Sequence, residues 1–113
     1  MNEQKKSCEI LDRIYSTIKS RNGDRTDLSY TAELFSLGRS EIARKLGEES
    51  VETIISYLDK NSKNVVNESA DLIYHLLVLW ADQGIEPRQV WTELSRREGI
   101  SGIVEKNNRN KKR

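Results

Sequence analysis

Between residues 40 and 83 the chain reads as two successive helices, and each sets a tight arc of carboxylates against a dense apolar surface. At ~100° per residue, Lys45, Glu48, Glu49 and Glu52 fall within about 100° on the first helix. Ile42 and Leu46 flank that arc, while Val51, Ile54, Ile55 and Leu58 fill much of the remaining circumference. A helix so nearly apolar is expected to be buried among several neighbours, yet its carboxylates cannot point away from all of them. On the second helix Glu68, Asp71, His75 and Asp82 fall within about 60°, with Leu72, Ile73, Leu76, Leu77 and Trp80 on the apolar side. Only Asn61-Ser62 interrupts the pattern, so an antiparallel hairpin with facing acidic arcs is expected. Like charges three and four residues apart disfavour a helix, and a cation between the arcs would offset that cost. An all-oxygen set drawn from Glu48, Glu49, Glu52, Glu68 and Asp71 suits Mg²⁺ or Mn²⁺ and suits zinc poorly.

The punctuation around this hairpin is helical as well. Ile10, Leu11, Ile14 and Ile18 predict an amphipathic helix over about residues 3–21, ended by the turn residues Asn22-Gly23-Asp24. An irregular polar stretch, 24–31, precedes a short helix over Ala32–Leu37 that Gly38 stops. Ser40 is placed to cap the central helix and Gly84 to end its partner. Pro87 opens a last helix through about Arg97, closed by Gly99. No alternating run of β-branched residues occurs, so the fold class is all-α.

Composition narrows the function classes. The 113 residues amount to one domain, read as a working portion, 1–106, and a basic, frayed tail, 107–113. With 19 Lys plus Arg against 18 Asp plus Glu, the net charge of +1 argues against a dedicated nucleic-acid binder. A single cysteine, Cys8, excludes an internal disulfide framework and fits a reducing compartment. No apolar run approaches the ~18–20 residues of a membrane span. The polar start, Met1–Lys6, does not resemble a leader, so a cytoplasmic location is expected. So short a chain has few surfaces with which to cover both hairpin helices, and a homodimer is expected to complete the core.

The pattern Glu48-Glu49-x-x-Glu52 followed by Glu68-x-x-Asp71 resembles the signature of the all-α nucleoside triphosphate pyrophosphatases, the MazG-like superfamily. Within it, Ser29-Tyr30-Thr31, the run from Lys45 to Thr53 and the run from Glu68 to Leu79 are similar to the phosphoribosyl-ATP pyrophosphohydrolases. Ser101-Gly102-Ile103 followed by Glu105-Lys106 extends the likeness, which spans roughly residues 9–106. The resemblance implies a dimeric MazG-like helical bundle. It also implies an activity: hydrolysis of the α–β phosphoanhydride of 1-(5-phosphoribosyl)-ATP to phosphoribosyl-AMP and pyrophosphate, the second step of histidine biosynthesis.

On this resemblance Glu48, Glu52 and Asp71 are the expected metal ligands, and Glu49 and Glu68 are further ligands or the base that orients the attacking water. Lys45 is expected to meet phosphate as a point charge, with an ion pair to Glu48 or Glu49 as the plainer role. Ser29 and Tyr30 fall in the irregular segment, where loops supply substrate contacts. Tyr30 can stack on a base, bond a phosphate or anchor packing. His75, the only histidine, is expected to meet substrate phosphate or a ligand carboxylate, although a lone helix histidine is more often satisfied internally. Two other readings compete: a house-cleaning nucleoside triphosphate pyrophosphatase of the same superfamily, and a non-enzymatic helical interaction module. A di-iron bundle fits poorly, because it needs Glu-x-x-His on two helices and this chain has one histidine.

Overall fold

The computed structural model describes residues 9–100 and 102–112. The expected helix start near residue 3, together with Cys8, Ser101 and Arg113, lies outside the described residues. Six helices and no strand make up what is described: α1 (Glu9–Arg21), α2 (Tyr30–Leu37), α3 (Arg39–Leu58), α4 (Ser62–Gln83), α5 (Pro87–Arg97) and α6 (Gly102–Lys112). None is long and apolar enough to cross a membrane.

The hairpin of α3 and α4 is the most extensive packing in the molecule, and α1 lies across α4 while α2 lies against α3. The turn between the two long helices works through Lys60, which takes the left-handed conformation (φ 57°). Asn61 then caps α4, its side chain accepting from the Asn64 N–H. Gly84, also left-handed, ends α4. Pro87 opens α5 at a position where its missing N–H costs nothing. Tyr15 and Ile18 from α1, Leu34 from α2, Ile42 from α3 and Leu77, Val78 and Trp80 from α4 form the buried core. Trp91 of α5 meets the Trp80 ring edge-on, with centroids 5.8 Å apart.

The structure departs from the sequence reading in four places. The second helix starts at Tyr30 rather than Ala32, because the Ser29 hydroxyl accepts from the Ala32 N–H and caps it. Ser40 is not a cap. It lies inside α3, which begins directly after Gly38, and Gly38 makes the corner with φ 94° and ψ −170°. The apolar surface of α3 is not buried within one chain: Val51 is 54% exposed, Ile54 56%, Ile55 52% and Leu58 69%. The stretch expected to be frayed is helical over residues 107–112, as the last part of α6, a helix exposed at every side chain described for it.

Gly38 occupies a backbone region that is almost exclusive to glycine, and a Cβ there would meet nothing within 4 Å. Gly38→Ala should therefore lower unfolding free energy by about 1–3 kcal/mol through backbone strain alone. Gly47→Ala, in the interior of α3 and equally open, should instead raise it by about 0.5–1 kcal/mol. Urea unfolding of both variants checks the contrast, and equal effects would contradict it.

Candidate active site

Packing of α3 on α4 brings one carboxylate of the first arc onto two of the second. Glu68 and Asp71 are three apart on α4 and so share a face. Glu49 of α3 meets them there, with carboxylate oxygens of all three within 4.8 Å of one another. Glu49 is buried, at 8% exposure, and both Glu49 Oε2 and Glu68 Oε2 are buried atoms with no hydrogen-bond partner. Burial pushes the Glu49 carboxyl above its ordinary value, and the negative charge of Glu52 adds to the shift. For Glu68 the leading cause is a proton shared with Glu52, followed by burial. Glu52, exposed one turn beyond Glu49, thus adjoins both.

Such an arrangement is costly as it stands, since buried carboxylate oxygens without donors lose their hydration and gain nothing. The residues fit a hard divalent cation: every donor is a carboxylate oxygen, and two of them lack any protein partner. Glu49, Glu68 and Asp71 would hold such a cation, which would supply positive charge against their carboxylates.

Not every predicted acid joins it. Glu48 is held by Arg44 at 2.6 Å and by Lys45 at 3.3 Å. Arg44 spans Glu41 and Glu48 together, so the Glu48 carboxylate already has two cations. Asp82 lies at the far end of α4, beside Arg39, Ile42, Ala43, Leu79 and Gln83. A spacing of four allows the pair of Arg44 and Glu48 without ranking it against a metal site.

A second group borders the acids. His75 is buried on α4, with Nδ1 2.9 Å from the Asp71 carbonyl oxygen and Nε2 3.1 Å from the Tyr30 hydroxyl. Both ring nitrogens are thus occupied within the chain. Tyr30, 49% exposed, meets the His75 ring edge-on. Burial pushes the Tyr30 hydroxyl above its ordinary value, and the positive charge of Lys45 offsets part of that. Ser29 spends its hydroxyl on the α2 cap. Thr31 and Tyr74 share a hydrogen bond between α2 and α4 that the sequence reading missed. Residues of such different type on different helices leave no periodic signal.

Residues 11–98 match the phosphoribosyl-ATP pyrophosphohydrolase family. The chain belongs to that family. It is 56% identical over 104 residues to a phosphoribosyl-ATP pyrophosphatase of Paramagnetospirillum magneticum, covering 92% of this chain and 95% of that one. A phosphoribosyl-ATP pyrophosphatase of Azospirillum brasilense is 52% identical, over 96% of this chain and 98% of its own length. One from Saccharolobus islandicus is 50% identical over 80% of this chain and 97% of its own. The matched span contains the whole hairpin and every acid of the cluster, so the family likeness and the geometry fall on the same residues.

Because the folded state raises the Glu49 pKa above its ordinary 4.5, the native protein binds the extra proton and loses stability as pH rises through that window. Below about pH 4.5 both states are protonated and the penalty is absent; above the raised value it is fully present. In metal-free protein, Glu49→Gln should therefore raise the unfolding temperature at neutral pH, and the gain should fade toward pH 4. A constant or reversed difference across that range would contradict the assignment.

Proposed function

We propose that this chain hydrolyses the α–β phosphoanhydride of 1-(5-phosphoribosyl)-ATP, releasing pyrophosphate and leaving phosphoribosyl-AMP, the second step of histidine biosynthesis. The observation that carries the reading is the pair of buried, unpartnered oxygens of Glu49 and Glu68 beside Asp71, in a chain of the phosphoribosyl-ATP pyrophosphohydrolase family. A triphosphate would be repelled by bare carboxylates, so the acids can serve it only together with cations. Held by these acids, Mg²⁺, or Mn²⁺ in its place, would supply positive charge against the phosphates as charge develops on them.

Glu52 and Asp71 are proposed as ligands, with Glu49 and Glu68 completing the set or orienting water. A carboxyl with a raised pKa is the better base near neutral pH, which suits Glu49 or Glu68 to taking the proton of the attacking water. Glu48 joins the ligands only by exchanging Arg44 and Lys45 for a metal ion. Lys45, at the rim, offers a positive point charge to the phosphates.

The active assembly is proposed to be a homodimer. Val51, Ile54, Ile55 and Leu58 on α3 and Val66 on α4 form a broad apolar exposure, and pairing two hairpins would bury it as one core. Residues 107–113 are proposed to stand outside the working domain, since among the described residues no acid of the cluster and no core residue lies there.

Pyrophosphate release should be rapid with phosphoribosyl-ATP and slow with ATP, and excess chelator should abolish it. Equal rates on ATP would favour the house-cleaning reading, and undiminished turnover in chelator would end the metal account. Glu49→Gln, Glu52→Gln and Asp71→Asn should each cost at least ~100-fold in turnover with helicity retained. Near-normal rates in all three would show that the cluster is not the site.

The dimer has a separate check. Unfolding temperature should rise with protein concentration, and sedimentation should give twice the 13.1 kDa chain mass. A folded, active monomer at micromolar concentration would refute it.

A further inference from the structure

Glu41, Arg44 and Glu48 lie three and four residues apart on α3, so one guanidinium serves two carboxylates along a single strip of the helix. Its contacts are unequal. Arg44 grips Glu41 with two bonds, Nε to Oε1 at 2.8 Å and Nη2 to Oε2 at 2.5 Å. It reaches Glu48 with one, Nη1 to Oε2 at 2.6 Å. The other Glu48 oxygen, Oε1, takes the Lys45 ammonium at 3.3 Å. Two parallel bonds match the guanidinium fork to the Glu41 carboxylate and fix where Arg44 stands. A basic residue four positions before an acid is the less favourable order on a helix, so the hold on Glu48 is the weaker of the two. Should Glu48 turn away, Arg44 is not stranded, because Glu41 still pairs it. The Glu48 side chain is 43% exposed and has room to turn.

The next residue is in the opposite condition. Glu49 is buried, and one of its oxygens meets no donor. Adjacent acids on one helix thus differ in that the chain supplies cations to the first and none to the second. We propose that Arg44, anchored by Glu41, is a resident counter-ion which a divalent cation has to displace from Glu48, and so a positioning residue that sets how tightly the acidic cluster binds metal. Its effect runs through Glu48. Paired with Arg44, that carboxylate stays outside the group formed by Glu49, Glu68 and Asp71; released, it becomes a further oxygen donor for the same hard cation. The cluster then fills at a higher free Mg²⁺ concentration than its unpartnered oxygens alone would require. The proposal rests on the pyrophosphohydrolase reading for the use made of the metal, while the exchange itself needs no substrate.

Calorimetric Mg²⁺ titration of the substrate-free protein tests it in four forms: wild type, Arg44→Gln, Glu48→Gln and the double variant. Glutamine is a good helix former, so α3 persists in all of them. An exposed ion pair is worth about 2- to 5-fold in an equilibrium constant, and Arg44→Gln should tighten Mg²⁺ binding by that factor. In the Glu48→Gln background the same substitution should leave the affinity unchanged, because no carboxylate remains to be released. Equal tightening in both backgrounds would reduce Arg44 to a distant positive charge and overturn the proposal. An affinity indifferent to Arg44→Gln would overturn it as well, even in an enzyme whose turnover of phosphoribosyl-ATP depends on Mg²⁺. No Mg²⁺ binding in any of the four would end it together with the metal account. The expected titrations in a protein without turnover would overturn the functional reading instead and leave the exchange standing.

Discussion

Two carboxylate oxygens, one on Glu49 and one on Glu68, are buried between α3 and α4 without a donor to satisfy them. Much of the molecule can be understood as what it takes to hold that arrangement. The hairpin has to be long, so that packing away from the acids outweighs the repulsion among them. Its two helices run for 20 and 22 residues, and the core residues Ile42, Leu77, Val78 and Trp80 all lie on the side of the hairpin away from its Lys60 turn. The acids therefore sit between a packed end and a turn, where the backbone is fixed but the side chains are not offset by neighbours. Fixed carboxylates of this kind form a site whose electrostatic demand is met from outside the chain.

The short helix α2 gives that demand a direction. It is seated by a serine cap, by the Thr31–Tyr74 bond and by Tyr30 on His75. The cations Arg44 and Lys45 meanwhile stand on α3 within reach of Glu48. These cations are paired with Glu41 and Glu48, one turn before the unpartnered acids. A polyanion accompanied by metal suits carboxylates that lack partners better than a bare phosphate does. The family of phosphoribosyl-ATP pyrophosphohydrolases, to which the chain belongs, is named for a substrate of that description.

The helical periods were plain in the sequence because period 3.6 is a property of each segment alone. Gly84 and Pro87 bounded their helices as expected, for equally local reasons. The gathering of Glu49, Glu68 and Asp71 was also legible, since two arcs and a two-residue break leave a hairpin few ways to face them. Competition between partners was not. Glu48 shares the arc with Glu49, but Arg44 one turn back claims it, and a helical wheel assigns angles without ranking contacts. Ser29 was read as a substrate contact from an irregular segment, and the start of α2 at Tyr30 makes its hydroxyl a cap. The exposed apolar face of α3 shows the other limit: a sequence records that a face needs covering, and not which chain covers it.

The central claim is that Glu49 and Glu68 have a raised affinity for protons because no cation offsets the burial of the first or the Glu52 carboxylate beside the second. Calorimetric Mg²⁺ titration in buffers of different ionisation enthalpy tests it most directly, because a metal that binds protonated carboxylates must release their protons. Just above the ordinary carboxylate range, where unperturbed acids have nothing left to release, the account predicts proton release on binding in the wild-type protein. It predicts a smaller release in Glu49→Gln. Mg²⁺ binding with no proton release, or release unchanged by that substitution, would contradict it.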